Sequence, residues 1–311
     1  MPPSVFIGTF DMLAQIFQQL PQQLVNGSVL GATYALFALG FTLMFGVLGV
    51  INLTYGFYFT TGAFLALYGT KMLALPIWLA LPIAALLTGA LAVVVDAILL
   101  TPLRRKKAPE LSSLMVTLGA TLLLYSSMTA FFGTEIRRLP PSVINHAAIA
   151  LGNARINMSQ ILILAVTASI VVVLLAIVRY TRFGLSMRSL AENAEAAELM
   201  GVNTDAVVRL VSFISGALGA TAGVLIGLNF NAIQPYMGEA MMLKGFAVII
   251  IGGLGDIKGA LIAGLVIGVL EALTAGFISS ELKDAVAFIL LIATLWYRPV
   301  GLFGRAPVKR A

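Results

Sequence analysis

Glu192, Glu195 and Glu198 recur every third residue in the most polar helical stretch of the sequence, 188–201, which reads RSLAENAEAAELMG. On a helical wheel they share a face with Arg188, while Leu190, Ala194, Ala197 and Gly201 form a narrow stripe opposite. Ser189 followed by Glu192 is a capping-box pattern, so a helix is predicted to start at Leu190 and run about 11 residues, about 16 Å. Gly201 stands where a left-handed terminator is wanted, with Asn203 and Thr204 as turn residues. Such a helix is too short and too charged to cross a bilayer. Its small residues, Ala196 and Ala197 among them, suit docking into a partner's groove. A solvated loop helix without a partner has the same pattern.

A second polar set lies inside apolar sequence. Asn52, Thr54, Tyr55 and Gly56 interrupt about 45 apolar residues, which predicts either a broken helix facing protein or a wet cavity, or a tight turn between two spans. Asn26 and Thr33 in the preceding run, and Asn229 after a later one, join Asn52, Tyr55 and Gly56 as candidate solute-pathway residues. Glu271 is an acidic residue within an apolar run, a functional candidate by type. Asp96 is read as interfacial. The lone His146 is read as a loop residue rather than a ligand. No metal site is expected, and with no cysteine there is no disulfide or thiolate chemistry.

Other chemistry is missing. There is no GxxxxGK[ST] phosphate loop, no HExxH and no GxSxG. The few ionisable groups in apolar sequence argue against a proton relay or voltage sensor, and no TVGYG filter occurs. The chain is therefore read as no enzyme. A carrier without its own energy source must receive work from outside, and a protruding polar helix is a place for it to enter.

The elements that must hold these residues are membrane spans. Of 311 residues 60% are hydrophobic and 10% charged, with mean hydropathy +1.02. Soluble domains carry roughly 25% charged residues. Long apolar runs rather than alternating ones exclude a barrel. The expected fold is all-α: a polytopic membrane protein of eight or nine transmembrane helices with broken or re-entrant segments. Spans are placed at 24–50, 53–68, 75–100, 111–132, 161–178, 206–230 and 285–297, with a short apolar stretch at 243–251 and a further span around 260–272. Residues 1–23 form a tail or interfacial helix, 24–303 one transmembrane domain with a polar loop at 180–204, and 304–311 a C-terminal tail. No cleaved leader is expected, because the N-terminus lacks a basic region.

The net charge of +6 sits in short loops and orients the spans, with no role in binding nucleic acid. Arg104 to Lys107, and Arg179, Arg182 and Arg188, put two loops on the cytoplasmic side. Arg298, Arg305, Lys309 and Arg310 put the C-terminus there too. The loop 134–160 then lies outside. Gly219, Gly223 and Gly227, and Gly264 and Gly268 with Ala260 and Ala272, form small-residue ridges for close helix packing.

Glu195-Ala196-Ala197 through Gly201 matches the E-A-A-x-x-x-G core found in the cytoplasmic loop of bacterial ABC importer permeases, without the I-x-L-P ending of its longer form. Asn26-Gly27 through Gly56, Arg182-Phe183-Gly184, Gly201 through Asp205, and Lys244-Gly245-Phe246 through Gly255 resemble the LivH-like branched-chain amino-acid permeases. The family commonly has I-N-F-A-H-G where this chain reads Ile51-Asn52-Leu53-Thr54-Tyr55-Gly56, which leaves the solute open among branched-chain amino acids, urea, amides and other small organic acids. The resemblance implies an inner-membrane subunit that pairs with a LivM-like permease, two cytoplasmic ATPase subunits and a periplasmic solute-binding protein. ATP and magnesium would bind the ATPases, and this chain no cofactor. Ser189, Glu192, Glu195, Ala196, Ala197 and Gly201 would then form the ATPase-coupling helix. A self-contained carrier or channel, and a related sugar permease, are the alternatives.

Overall fold

In hydrocarbon every backbone polar group must be satisfied within its own segment, so long apolar runs fold as helices. The computed structural model describes residues 3–106, 108–141, 148–151 and 154–304. His146, Lys107 and the C-terminal cations Arg305, Lys309 and Arg310 lie outside them. The order is α1 Pro3–Leu48, α2 Tyr55–Met72, α3 Ile77–Val95, a π-helical turn Asp96–Leu100, α4 Thr101–Arg105, α5 Glu110–Phe132, β1 Ala148–Leu151, β2 Ala154–Asn157, α6 Met158–Tyr180, α7 Arg182–Glu192, α8 Ala194–Leu199, α9 Thr204–Phe230, α10 Met237–Gly252, α11 Ile257–Phe277 and α12 Lys283–Tyr297.

Six stretches are long and apolar enough to cross a membrane: Gln18–Leu48, Ile77–Arg105, Leu111–Phe132, Met158–Tyr180, Thr204–Phe230 and Ile257–Phe277. The shorter or more polar α2, α10 and α12 fall outside that set, so the expected eight or nine spans are not reached by length and composition. The expected boundary at residue 23 falls inside a helix, since α1 continues through it. Within the loop 134–160 the two strands pair antiparallel, Ala148 opposite Asn157, a hairpin that apolar periodicity did not announce.

The bundle is built twice. α1, α2, α3 and α5 form one set, and α9, α10, α11 and α12 the other. In each, a long helix ends in a left-handed residue, Gly49 (φ 68) or Asn231 (φ 47), which terminates it. A six-residue break follows, 49–54 or 231–236, and then a short helix. Each long helix packs chiefly on the third helix of the other set, α1 on α11 and α9 on α3. α1 and α9 run in opposite directions, so the repeats are inverted, as in many transporters. One end of the bundle carries Arg104, Arg105 and the loop 180–204, and is called the basic end. The other carries the β-hairpin.

Small residues set these contacts. A side chain on Gly268 would collide with the backbone of Gly31, and one on Gly264 with that of Ala35. Along the α9 ridge, Gly219 lies against the Tyr55 ring, Gly223 against the Phe59 carbonyl and Gly227 against Ile233. Helices meet this closely only where no Cβ intervenes.

Candidate functional site

The break after α1 folds back into the bundle. Asn52, Thr54 and Tyr55 are fully buried. Asn52 Oδ1 accepts from the Thr54 amide at 3.0 Å and from its hydroxyl, an Asx-type turn that feeds α2. Thr54 Oγ1 also reaches the Tyr58 hydroxyl at 3.1 Å. Tyr55 is packed among Phe37, Phe41 and Tyr58. This is a broken chain whose polar groups are satisfied by the protein itself.

The starts of α2 and α10 meet at mid-bundle. A Cβ on Gly56 would strike the Gly238 carbonyl, and the Gly238 amide donates to Thr60 Oγ1 at 3.0 Å. From there α2 runs toward the hairpin end, where Thr70 and Met158 line a common cavity. α10 runs the other way, to Gly252 against Gly259. Of the other candidate pathway residues, Thr33 bonds back to Leu30 within its own helix. Asn26 accepts from Gln22 and Gln160 at the hairpin end, and Asn229 is partly exposed at the end of α9. Asn52, Tyr55 and Gly56 are thus neighbours, while Asn26 and Asn229 stand apart from them.

Two buried ion pairs were not foreseen. Asp96, read as interfacial, is fully buried and pairs with both Arg104 guanidinium nitrogens at 2.9 Å. The π-helical turn that starts at Asp96 sets this approach. Lys244 on α10 lies 2.9 Å from Glu271 Oε2 on α11 and 2.8 Å from Asp284 on α12. The Tyr34 hydroxyl accepts from Lys244 at 3.1 Å and donates to Glu271 at 2.7 Å. Glu271 was visible in the sequence as an acid in an apolar run. Its partners Tyr34 and Lys244 were not, because they lie on two other helices.

At the basic end the loop differs from expectation. The predicted single helix from Leu190 is two. α7 begins at Arg182, capped by Thr181 Oγ1 accepting from the Gly184 amide. The chain extends at Asn193 (φ −158), whose side chain accepts from the Ala196 amide and starts α8. Ser189 is therefore not a cap: it lies inside α7 and donates to the Leu185 carbonyl. Gly201 has φ 85, the expected left-handed terminator. Glu192, Glu195, Ala196 and Glu198 are exposed, while Leu190 and Ala197 are buried. Ala194, placed on the small-residue stripe, is exposed, and the break before it separates it from Leu190. Leu199 and Met200 are 89% and 85% exposed, an apolar pair at the tip of a charged loop.

Residues 23–295 match the family described as "Branched-chain amino acid transport system / permease component". The chain belongs to this family. It is 33% identical to the high-affinity branched-chain amino acid transport system permease protein LivH of Escherichia coli strain K12, over 96% of this chain and 100% of that protein. It is 31% identical to the permease protein BraD of Pseudomonas aeruginosa, with the same coverage. Among solved structures, PsaBC from Streptococcus pneumoniae in complex with Fab matches with TM-score 0.52 at 14% identity, over 94% of this chain and 98% of that one. That likeness concerns the fold alone. Family and apolar helices together make this branched-chain permease relative a multi-pass inner-membrane transport protein.

Proposed function

We propose that the chain is the permease subunit of an ABC importer that moves branched-chain amino acids inward. In this reading it pairs with a second, LivM-like permease, and a periplasmic binding protein delivers the solute. Two cytoplasmic ATPases hold ATP and magnesium and supply the energy. The basic end faces the cytoplasm, the C-terminus with it, and α2, α10 and α12 complete the crossing set. The 33% identity to a branched-chain amino-acid permease over nearly the whole chain supports the solute class.

The observation that carries the coupling role is the pair Leu199 and Met200. Two long apolar side chains in water are a liability unless a partner covers them. Ala197 anchors α8 against the bundle, Asn193 caps its start and Gly201 ends it. A rigid segment anchored on one side and apolar on the other transmits force. In this reading Glu192, Glu195 and Glu198 rim the contact. Closure of the ATPase dimer moves the segment, and α7 and α9, which frame it, pass the motion into the bundle.

The test is leucine uptake by the complete complex in proteoliposomes with ATP. Leu199→Asp with Met200→Asp is expected to abolish uptake while leaving the complex in the membrane and its ATP hydrolysis measurable. Normal uptake by this double variant would refute the coupling role.

A further inference from the structure

We propose that Glu271 and Asp284, held apart by Lys244, form a recognition site for the primary ammonium group of the solute. This deepens the amino-acid permease reading and rests on it.

The first argument is depth. Glu271 lies six residues before the end of α11, about 9 Å below it. α12 has 15 residues, about 22 Å, against a hydrocarbon core of about 30 Å. Its far end is marked by exposed Trp296 and Tyr297 followed by Arg298, the residue types that anchor a helix at an interface. Its start, with Asp284, therefore stops short of the opposite interface. Asp284 is nonetheless 57% exposed. A half-exposed carboxylate at that depth is costly against lipid and stable against water, so this flank of the cluster is open to water.

The second argument is charge and hydrogen-bond capacity. Lys244, 14% exposed, has three donors, and all are taken: by Tyr34, Glu271 and Asp284. One ammonium against two carboxylates leaves the cluster with a net negative charge. Glu271 is 2% exposed, and its Oε1 has no partner among the described residues. A buried carboxylate oxygen left unpaired is expensive. What the site lacks is one cation with N–H donors, small enough to enter from the half-exposed Asp284 side. A primary ammonium is such a group. Its donors would meet Asp284 first and, as α12 moves, Glu271 Oε1, which is closed to solvent in this conformation. A metal cluster is a poorer fit, because the lysine already fills the centre of the site.

The site bridges four helices, α1 through Tyr34, α10, α11 and α12. Filling it would draw α12, the least buried of the four, toward the other three. Recognition of the ammonium and movement of α12 become one event.

The test uses the complete importer, purified without its binding protein, in thermal unfolding. Leucine, its 2-hydroxy analogue lacking the ammonium, and sodium chloride against choline chloride are titrated in turn. Leucine is expected to raise the melting temperature of the wild type, and the hydroxy analogue and sodium are not. E271Q and D284N are expected to lose the leucine shift, and their leucine uptake to fall at least ~10-fold, the size of one lost charge-assisted hydrogen bond. If E271Q does not fold, D284N, on the half-exposed carboxylate, carries the comparison. An equal shift with the hydroxy analogue, a shift with sodium, retention of the shift in the variants, or no shift in a wild type that takes up leucine would each overturn the proposal. A wild-type complex that takes up no leucine even with its binding protein restored would instead overturn the permease reading beneath it.

Discussion

The Tyr55 hydroxyl donates to the main-chain carbonyl of Phe37 at 3.0 Å, tying the first turn of α2 to the C-terminal third of α1. The same ring stacks on Phe41, 5.3 Å between centroids and nearly parallel, and covers Gly219 of α9. Three central helices are thus closed around one side chain. Tyr55→Phe removes only the hydrogen bond and is expected to cost about 1 kcal/mol. Tyr55→Ala leaves a cavity and is expected to cost about 3–5 kcal/mol. Melting temperatures of the detergent-solubilised complex check this, and equal values for the two variants would show that the ring does not close the bundle.

The α1–α11 contact depends on Gly268 having no side chain. Gly268→Val must push α11 off the backbone of Leu30 and Gly31, and loss of the folded protein from the membrane fraction is expected. Gly119, on the exposed face of α5, has nothing within 4 Å of an added Cβ. Gly119→Ala is expected to be neutral or to stabilise by up to about 1 kcal/mol through helix propensity. Equal expression of Gly268→Val and wild type would contradict the packing.

Asn193, not Ser189, starts the short helix α8. Asn193→Ala is expected to destabilise that turn by about 1 kcal/mol and to lower uptake more than it lowers the thermal stability of the whole complex. Ser189→Ala is expected to match wild type in both. Hydrogen exchange of the Ala196 amide reads the cap directly, and unchanged protection in Asn193→Ala would show that the cap is idle.

Asp96 and Arg104 are expected to fail singly and recover together. Asp96→Asn leaves the buried side of a guanidinium without its charge partner, at a cost of about 3–5 kcal/mol. Arg104→Met alone strands the carboxylate in the same way. The double variant Asp96→Asn with Arg104→Met is expected to melt above both singles. Additive losses would mean that the two groups act independently.

Much of the elements' placement was legible from local pattern. Gly201 reads as a helix terminator because only a residue without Cβ takes φ 85 at low cost. The run 206–230 reads as a span with a small-residue ridge because the repeat of four is local. The capping box at Ser189 misled because caps compete. Thr181 starts α7 eight residues earlier than expected, which places Ser189 in a helix interior where its hydroxyl bonds back to Leu185. Asn52 and Tyr55 were legible as a polar break, but nothing local says whether such a break faces water or is packed by Phe37 and Phe41. The inverted repeat went unseen because its halves share element order and break length rather than residues.

Composition and periodicity by themselves determined that this chain lives in a bilayer as helices, and the spacing of the small residues determined where those helices approach. Family membership, too, was carried by short contiguous motifs. Tertiary structure alone decided which charges meet. Lys244 and Glu271 are 27 positions apart and Tyr34 and Glu271 237, and an ion pair is a matter of distances between helices, which no run of neighbouring residues encodes. The physical reason is that apolar burial acts locally along each helix face, whereas a charge in hydrocarbon must find its partner wherever the fold brings one within reach.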